Sequence, residues 1–136
     1  MEPKRHGTVG HGLSHTGCER KSIEAPMITL PDNVKDCIAI CTRCAQTCLG
    51  EAMTHCLEEG GDHVAPSHFR HMITCAEMCR AAAAIMLTGA GHHASVCRVC
   101  AEICQACARE CEQLDGMEDC AAICRECAES CREMAQ

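Results

Sequence analysis

The chain of 136 residues carries 17 cysteines, about one residue in eight, with a formal net charge of −7, no Trp, no Tyr and a single Phe. Such a cysteine share exceeds the roughly 8–10% that marks a cysteine-specialised chain, and the length suits one domain. An acidic balance without Lys/Arg blocks or stacking aromatics excludes nucleic acid and anionic membrane surfaces as partners.

The usual core formers are scarce, at 8 Ile, 6 Leu, 5 Val and 1 Phe, together below the roughly 20% that normally supports a packed interior. Cysteine and the 19 alanines must supply much of any core. Residues 1–31 are rich in Gly, His, Ser and Thr without sustained periodicity and read as a flexible N-terminal extension, containing Cys18 and the metal-recruiting candidates His6, His11 and His15. This stretch has no apolar core followed by a small-residue cleavage site, so no secretory signal is expected and a cytoplasmic location is. A reducing compartment and an odd cysteine count disfavour a disulfide scaffold.

Four helix-length segments occupy residues 32–136. The first runs from about Asn33 to Glu58, opened by Pro31-Asp32, where Asp32 is placed to cap free N–H groups, and closed by Gly60-Gly61. The second follows Pro66-Ser67 and ends near Leu87, before Thr88-Gly89-Ala90-Gly91. Its apolar run, Ala81 to Leu87, falls far short of the roughly 18 residues a membrane span needs. The third covers about His92 to Leu114, and Asp115-Gly116 separates it from a fourth, about Met117 to Met134. Short connections force antiparallel neighbours, so the expected fold is all-α, an up-down-up-down four-helix bundle behind an N-terminal extension. A β reading fails because the apolar spacing is 3 and 4, never 2.

Cysteines fall at 37, 41, 44 and 48 on the first helix, 75 and 79 on the second, 97, 100, 104, 107 and 111 on the third, and 120, 124, 127 and 131 on the fourth. At about 100° per residue each set keeps to a sector of roughly 40–80°, one buried helix face. Seven non-overlapping C-x-x-x-C pairs use 14 of the 17 cysteines, leaving out Cys18, Cys56 and Cys97. A lone buried cysteine is an ordinary small hydrophobe. Fifteen in register are another matter, because Ala, Leu or Val would pack as well without the risk of oxidation.

Cβ atoms four apart on a helix lie about 5–6 Å from each other, and two metal–sulfur bonds of about 2.3 Å in line span roughly 4.6 Å. A two-coordinate ion therefore bridges C-x-x-x-C with little distortion. Zn²⁺ in Cys₄ sites would leave two net negative charges per site in a closed core, whereas a monovalent soft ion neutralises one thiolate each. Thiolate selects Cu(I), which fits best on coordination, softness and charge together. Iron–sulfur binding lacks the ferredoxin spacing and its Pro. The C-x-x-C pairs at Cys41/Cys44, Cys97/Cys100, Cys104/Cys107 and Cys124/Cys127 lack a βαβ context for thiol-redox catalysis.

The segments CIAICTRCAQTC, CRVCAEICQACAREC and CAAICRECAESC resemble the copper storage proteins, specifically their cytosolic branch, over about residues 32 to 134. The resemblance implies a non-enzymatic four-helix bundle that folds without metal, stores or buffers many Cu(I) ions in its core, and associates as a homotetramer. It implies core ligands at Cys37, Cys41, Cys44, Cys48, Cys75, Cys79, Cys97, Cys100, Cys104, Cys107, Cys111, Cys120, Cys124, Cys127 and Cys131, to which Cys56, one step off its stripe, is added. Small thiols or a copper chaperone are the expected exchange partners. The alternative function is zinc sequestration or thiol redox chemistry.

Continuing the stripes to the helix ends identifies secondary ligands through which ions pass. One end gathers Met86, His92, His93 and Met134, and the other His55, His68, His71, Met72 and Met117. The expected mouth is the His92/His93 end, within reach of the His-containing extension. Glu77, Arg98, Glu102, Arg109, Arg125 and Glu129 belong to the solvated outer face.

Overall fold

The computed structural model describes residues 29–136; Cys18, His6, His11 and His15 lie outside them. Helix α1 begins as Asp32–Glu51 and continues through a π-helical turn, Ala52–Cys56, and a last α turn, Leu57–Glu59. A short 3₁₀ turn, Gly61–Val64, leads to α2, Pro66–Thr88; α3 is His93–Glu112 and α4 is Glu118–Met134. Each expected helix is present, with ends moved by one or two residues.

The terminators act as their chemistry dictates. Gly60 leaves α1 with φ 66° and Gly89 closes α2 in the left-handed conformation, its N–H donating to the Met86 carbonyl. Both are positions where a Cβ is strained. Pro66 occupies the first turn of α2, where its missing N–H removes nothing. The expected cap at Asp32 is corrected: Pro31 holds the N-cap position, no side chain caps α1, and Asp32 lies inside the first turn. A carboxylate there acts on the helix dipole instead. The acidic first turn and basic last turn of α4, Glu118 and Asp119 against Arg132, follow the same rule.

The helices stand at the corners of a square: α1 packs on α2 and α4, and α3 packs on α2 and α4. All sixteen cysteines from Cys37 to Cys131 are buried, and among the described residues the only other large side chains buried with them are methionines, His68 and Ile123. Alanines 52, 76, 82, 83, 101, 108, 121 and 128 fill the remaining inward positions, which lets the backbones approach closely enough for sulfur from different helices to touch. Protonated thiols thus act as apolar filler.

Outside, Arg43 donates to Glu126 across α1 and α4 at 2.8 Å, and Arg125 makes a two-pronged pair with Glu112 across α4 and α3 at 2.7 and 2.9 Å. These pairs are exposed to solvent and screened by it, so they add little to stability. No described helix is long and apolar enough to cross a membrane.

Candidate metal centre

The sulfur atoms form one connected column through the bundle. At the end made by the starts of α1 and α3 and the ends of α2 and α4, Cys37, Cys97 and Cys131 form a triad. Next comes Cys41, Cys100, Cys127 and Cys131, then Cys44, Cys79, Cys104 and Cys127, which draws one residue from each helix. A further group is Cys44, Cys48, Cys75 and Cys124; within every group the Sγ atoms lie within 4.8 Å of one another.

The shortest contacts cross between helices: Cys79 to Cys104 at 3.3 Å, Cys48 to Cys124 at 3.4 Å, and Cys41 to Cys131 and Cys48 to Cys120 at 3.5 Å. The C-x-x-x-C pairs within one helix are longer, 3.9 Å for Cys44/Cys48 and Cys100/Cys104 and 4.0 Å for Cys75/Cys79. An S–S bond is about 2.05 Å long, so the described thiols are unpaired, as free cysteines. Three sulfurs around an ion with bonds of about 2.3 Å stand about 4.0 Å apart, and two in line about 4.6 Å. The thiols are therefore preset near three-coordinate spacing, and a linear ion requires a modest opening. The pairs within one helix keep the spacing that suits a shared ion, and contacts between helices add further sulfurs to the same groups.

Sharing also limits how the groups fill. Cys44, Cys127 and Cys131 each belong to two groups, so neighbouring groups fill only if one thiolate bridges two ions. Independent Cys₄ sites for a divalent ion cannot all form from such a set.

Protonation follows from the same packing. Cys124 is pushed far above the ordinary thiol range, first by its S–H contacts to Cys107, Cys120, Cys44 and Cys48 and then by burial. Cys127 is raised likewise, its contacts to Cys100, Cys104, Cys131 and Cys41 leading. Cys44 and Cys100 are pulled down because they accept from such donors, Cys104 first in both cases. Unmetallated, the column stays neutral, because adjacent bare thiolates in a dry core are prohibitively costly.

Past Cys48 the ligand chemistry changes. Met72, expected at a mouth, is corrected to a core residue: it is fully buried, with Sδ 3.4 Å from Cys111, 3.7 Å from Cys120 and 3.8 Å from Cys107. Cys56 is brought inside by the π-helical turn, and its Sγ lies 3.5 Å from His68 Nε2 and 3.8 Å from Met117 Sδ. Burial raises the Cys56 thiol to about 11, with the nearby Cys120, Glu51 and Cys107 adding to it. Burial also lowers His68, with the Cys107 charge opposing it, which favours the neutral imidazole, whose single unprotonated nitrogen can bind a cation. His55 stands edge-on to His63 at 5.1 Å, and His63 edge-on to His68 at 6.3 Å. His63 was missed from the sequence; the signal was a third histidine in the segment joining His55 to His68. His71 is tied by Nδ1 to the Ser67 carbonyl on its own helix.

At the opposite end a cavity of about 460 Å³ is lined by Met86, His93 and Met134 together with Asn33, Val34 and Gly91. Cys97 Sγ lies 3.8 Å from Met86 Sδ, so the cavity adjoins the terminal triad. His92 is exposed and does not line it.

The family model described as copper storage protein matches residues 24–136. Among solved structures, the chain is similar to the Nmul_A1745 protein from Nitrosospira multiformis, at 55% identity and TM-score 0.75, covering 76% of this chain and 94% of that one. It is similar to the Cu(I)-bound copper storage protein BsCsp3, at 36% identity and TM-score 0.70 over 76% of this chain and 99% of that one. The apo form of copper storage protein 3 from Bacillus subtilis matches at 36% identity and TM-score 0.68, over 75% and 98% of the two chains. No curated protein matches. A column of shared, unpaired thiols in a four-helix bundle and a family match that spans every described residue agree: the chain belongs to the copper storage protein family.

Proposed function

We propose that this protein stores Cu(I), taking up many ions per chain in its thiol column. The observation that carries the reading is the sharing of Cys44, Cys127 and Cys131 between adjacent sulfur groups. Bridging suits a soft monovalent ion held by thiolate and keeps the core near neutrality as it fills. Each arriving ion displaces a thiol proton to solvent, and no catalytic step is needed. One ion per thiolate sets the capacity near the sixteen buried cysteines.

Anaerobic titration with Cu(I) under a competing chelator tests this. On the order of ten or more equivalents should bind with little change in helix content, and the loaded protein should luminesce as shielded Cu(I)–thiolate clusters do. Saturation at about one to four equivalents would favour zinc sequestration or thiol redox chemistry over storage.

We further infer that ions are admitted where the Met86/His93/Met134 cavity meets the Cys37/Cys97/Cys131 triad. Thioether and imidazole are weaker, exchangeable ligands able to hand ions inward. Slower copper uptake in a Met86→Leu/His93→Ala/Met134→Leu variant, beside unaltered uptake in His71→Ala, is expected; equal rates refute a dedicated mouth. Small thiols or a copper chaperone would exchange ions there.

A cytosolic homotetramer is the proposed working form. Free thiols in this number suit a reducing compartment, and Leu49, Met53 and Leu57 expose apolar surface on α1 for a subunit contact. Light scattering on the eluting protein and cell fractionation check the two statements.

A further inference from the structure

The end of the bundle remote from the cavity holds a cluster of a different chemical class. Cys56 lies eight residues beyond Cys48, and at about 100° per residue a regular helix would turn it roughly 80° off the sulfur face. The π-helical turn Ala52–Cys56 inserts a residue without a full step of rotation and returns Cys56 to the interior. Such turns sacrifice hydrogen-bond geometry and concentrate at functional positions. What Cys56 gains is not a place in the sulfur groups, none of which includes it. It gains an imidazole and a thioether.

Cys56 and Met117 are fully buried and His68 is 2% exposed. Nε2 of His68 faces the Cys56 sulfur, while Nδ1 of His68 and Nε2 of His55 are buried without a hydrogen-bond partner. Burying polar nitrogens without partners is unfavourable, so a purely structural plug would be a poor use of these residues. An ion in trigonal coordination, with bonds of about 2.3 Å to sulfur and 2.0 Å to nitrogen, needs an S–S edge of about 4.0 Å and an S–N edge of about 3.7 Å. The two edges that meet at Cys56 are 3.8 Å to the thioether and 3.5 Å to the imidazole.

We propose that Cys56, His68 and Met117 form a separate mononuclear site for one Cu(I) ion, created by the π-helical turn and distinct from the bridged thiolate column. On binding, the Cys56 S–H bond breaks, its proton leaves to solvent, a sulfur–copper bond forms, and Nε2 and the thioether each donate a lone pair. One thiolate balances one positive charge. A divalent ion would leave a net positive charge in a dry pocket, and a thioether favours the softer ion. A cavity of about 230 Å³ lined by Asp62, Ser67, Glu110 and Leu114 reaches His68, and His63 Nε2 donates to the Asp115 carbonyl at 3.0 Å. Gly116, at φ +82°, allows the His55 ring to lie where a Cβ would stand 2.7 Å from Nε2. The choice of ion rests on the storage reading; the site itself does not.

The test uses the full chain labelled with ¹⁵N-histidine, titrated anaerobically with Cu(I) supplied as its acetonitrile complex, following imidazole nitrogens by NMR and bound copper by chelator competition. The His68 Nε2 resonance should move to a metal-bound position and remain there at saturation. In Met117→Leu the same shift should need roughly tenfold more free Cu(I), a loss of about 1.4 kcal/mol. Copper filling the chain while His68 Nε2 keeps its apo position overturns the site and leaves storage intact. Few ions bound with His68 shifted overturns storage and leaves the site. A tighter shift with Zn(II) than with Cu(I) overturns the choice of ion.

Discussion

Replacing Cys44 with alanine separates the two roles of a core thiol. Cys44 is fully buried, belongs to two sulfur groups, and has Cys48 and Cys124 sulfurs at 3.9 Å. Removing one sulfur from a packed interior forfeits about 0.5–1 kcal/mol of transfer energy. The void of roughly 20 Å³ adds about 0.5 kcal/mol at about 24 cal/mol per Å³. The metal-free protein should therefore lose about 1–1.5 kcal/mol, measured by urea unfolding under reductant with circular dichroism. The loaded protein should lose far more. An ion present at about a thousand times its dissociation constant stabilises the fold by about 4 kcal/mol, and two sulfur groups lose a member together. Cu(I) capacity should fall by one to two equivalents, by chelator competition. Unchanged capacity would refute the shared-site geometry, and a loss above about 3 kcal/mol in the metal-free protein would refute the view of the thiols as simple filler.

Three further outcomes follow from the packing. Gly116→Ala forces a Cβ onto a φ +82° residue and into the His55 ring, so it should destabilise by about 1–2 kcal/mol in urea unfolding. Ala108→Leu, at a fully buried position on α3, should cost about 1–3 kcal/mol by overpacking and push helices apart, lowering Cu(I) capacity in titration as well as the unfolding midpoint. Copper affinity should fall with acid: the Cys56 thiol lies near 11, so at every pH below that value binding releases a proton from it. Its apparent affinity should drop about tenfold per unit decrease in pH, measured by chelator competition between pH 6 and 9; no dependence would mean a thiolate already formed.

How far each element was legible depends on whether its cause is local. Helix ends at Gly60, Pro66 and Gly89 and the inward faces of all four helices follow from backbone preference and a repeat of 3 and 4. Asp32 was misread as a cap because Pro31, whose extended conformation suits the N-cap position, takes that place. Cys56 stood off its stripe in any regular helix, and only the π-helical turn corrects its phase. Continuing a stripe sets Met72 at a mouth, but the packing of Cys107, Cys111 and Cys120 around its Sδ places it inside.

By itself the sequence determined the number of helices, the face each one buries, and a soft-metal chemistry for those faces, since residue type and periodicity are properties of one chain segment at a time. The tertiary structure alone decided which sulfurs meet. Contacts of 3.3–3.5 Å between Cys79 and Cys104 or Cys48 and Cys124 depend on how neighbouring helices slide and rotate against one another. That relative placement is fixed by the alanine-lined contacts and the loop lengths acting together, and no single helix records it. The same holds for the Cys56–His68–Met117 cluster, whose three residues come from three separate segments and meet only after a local change of helical pitch.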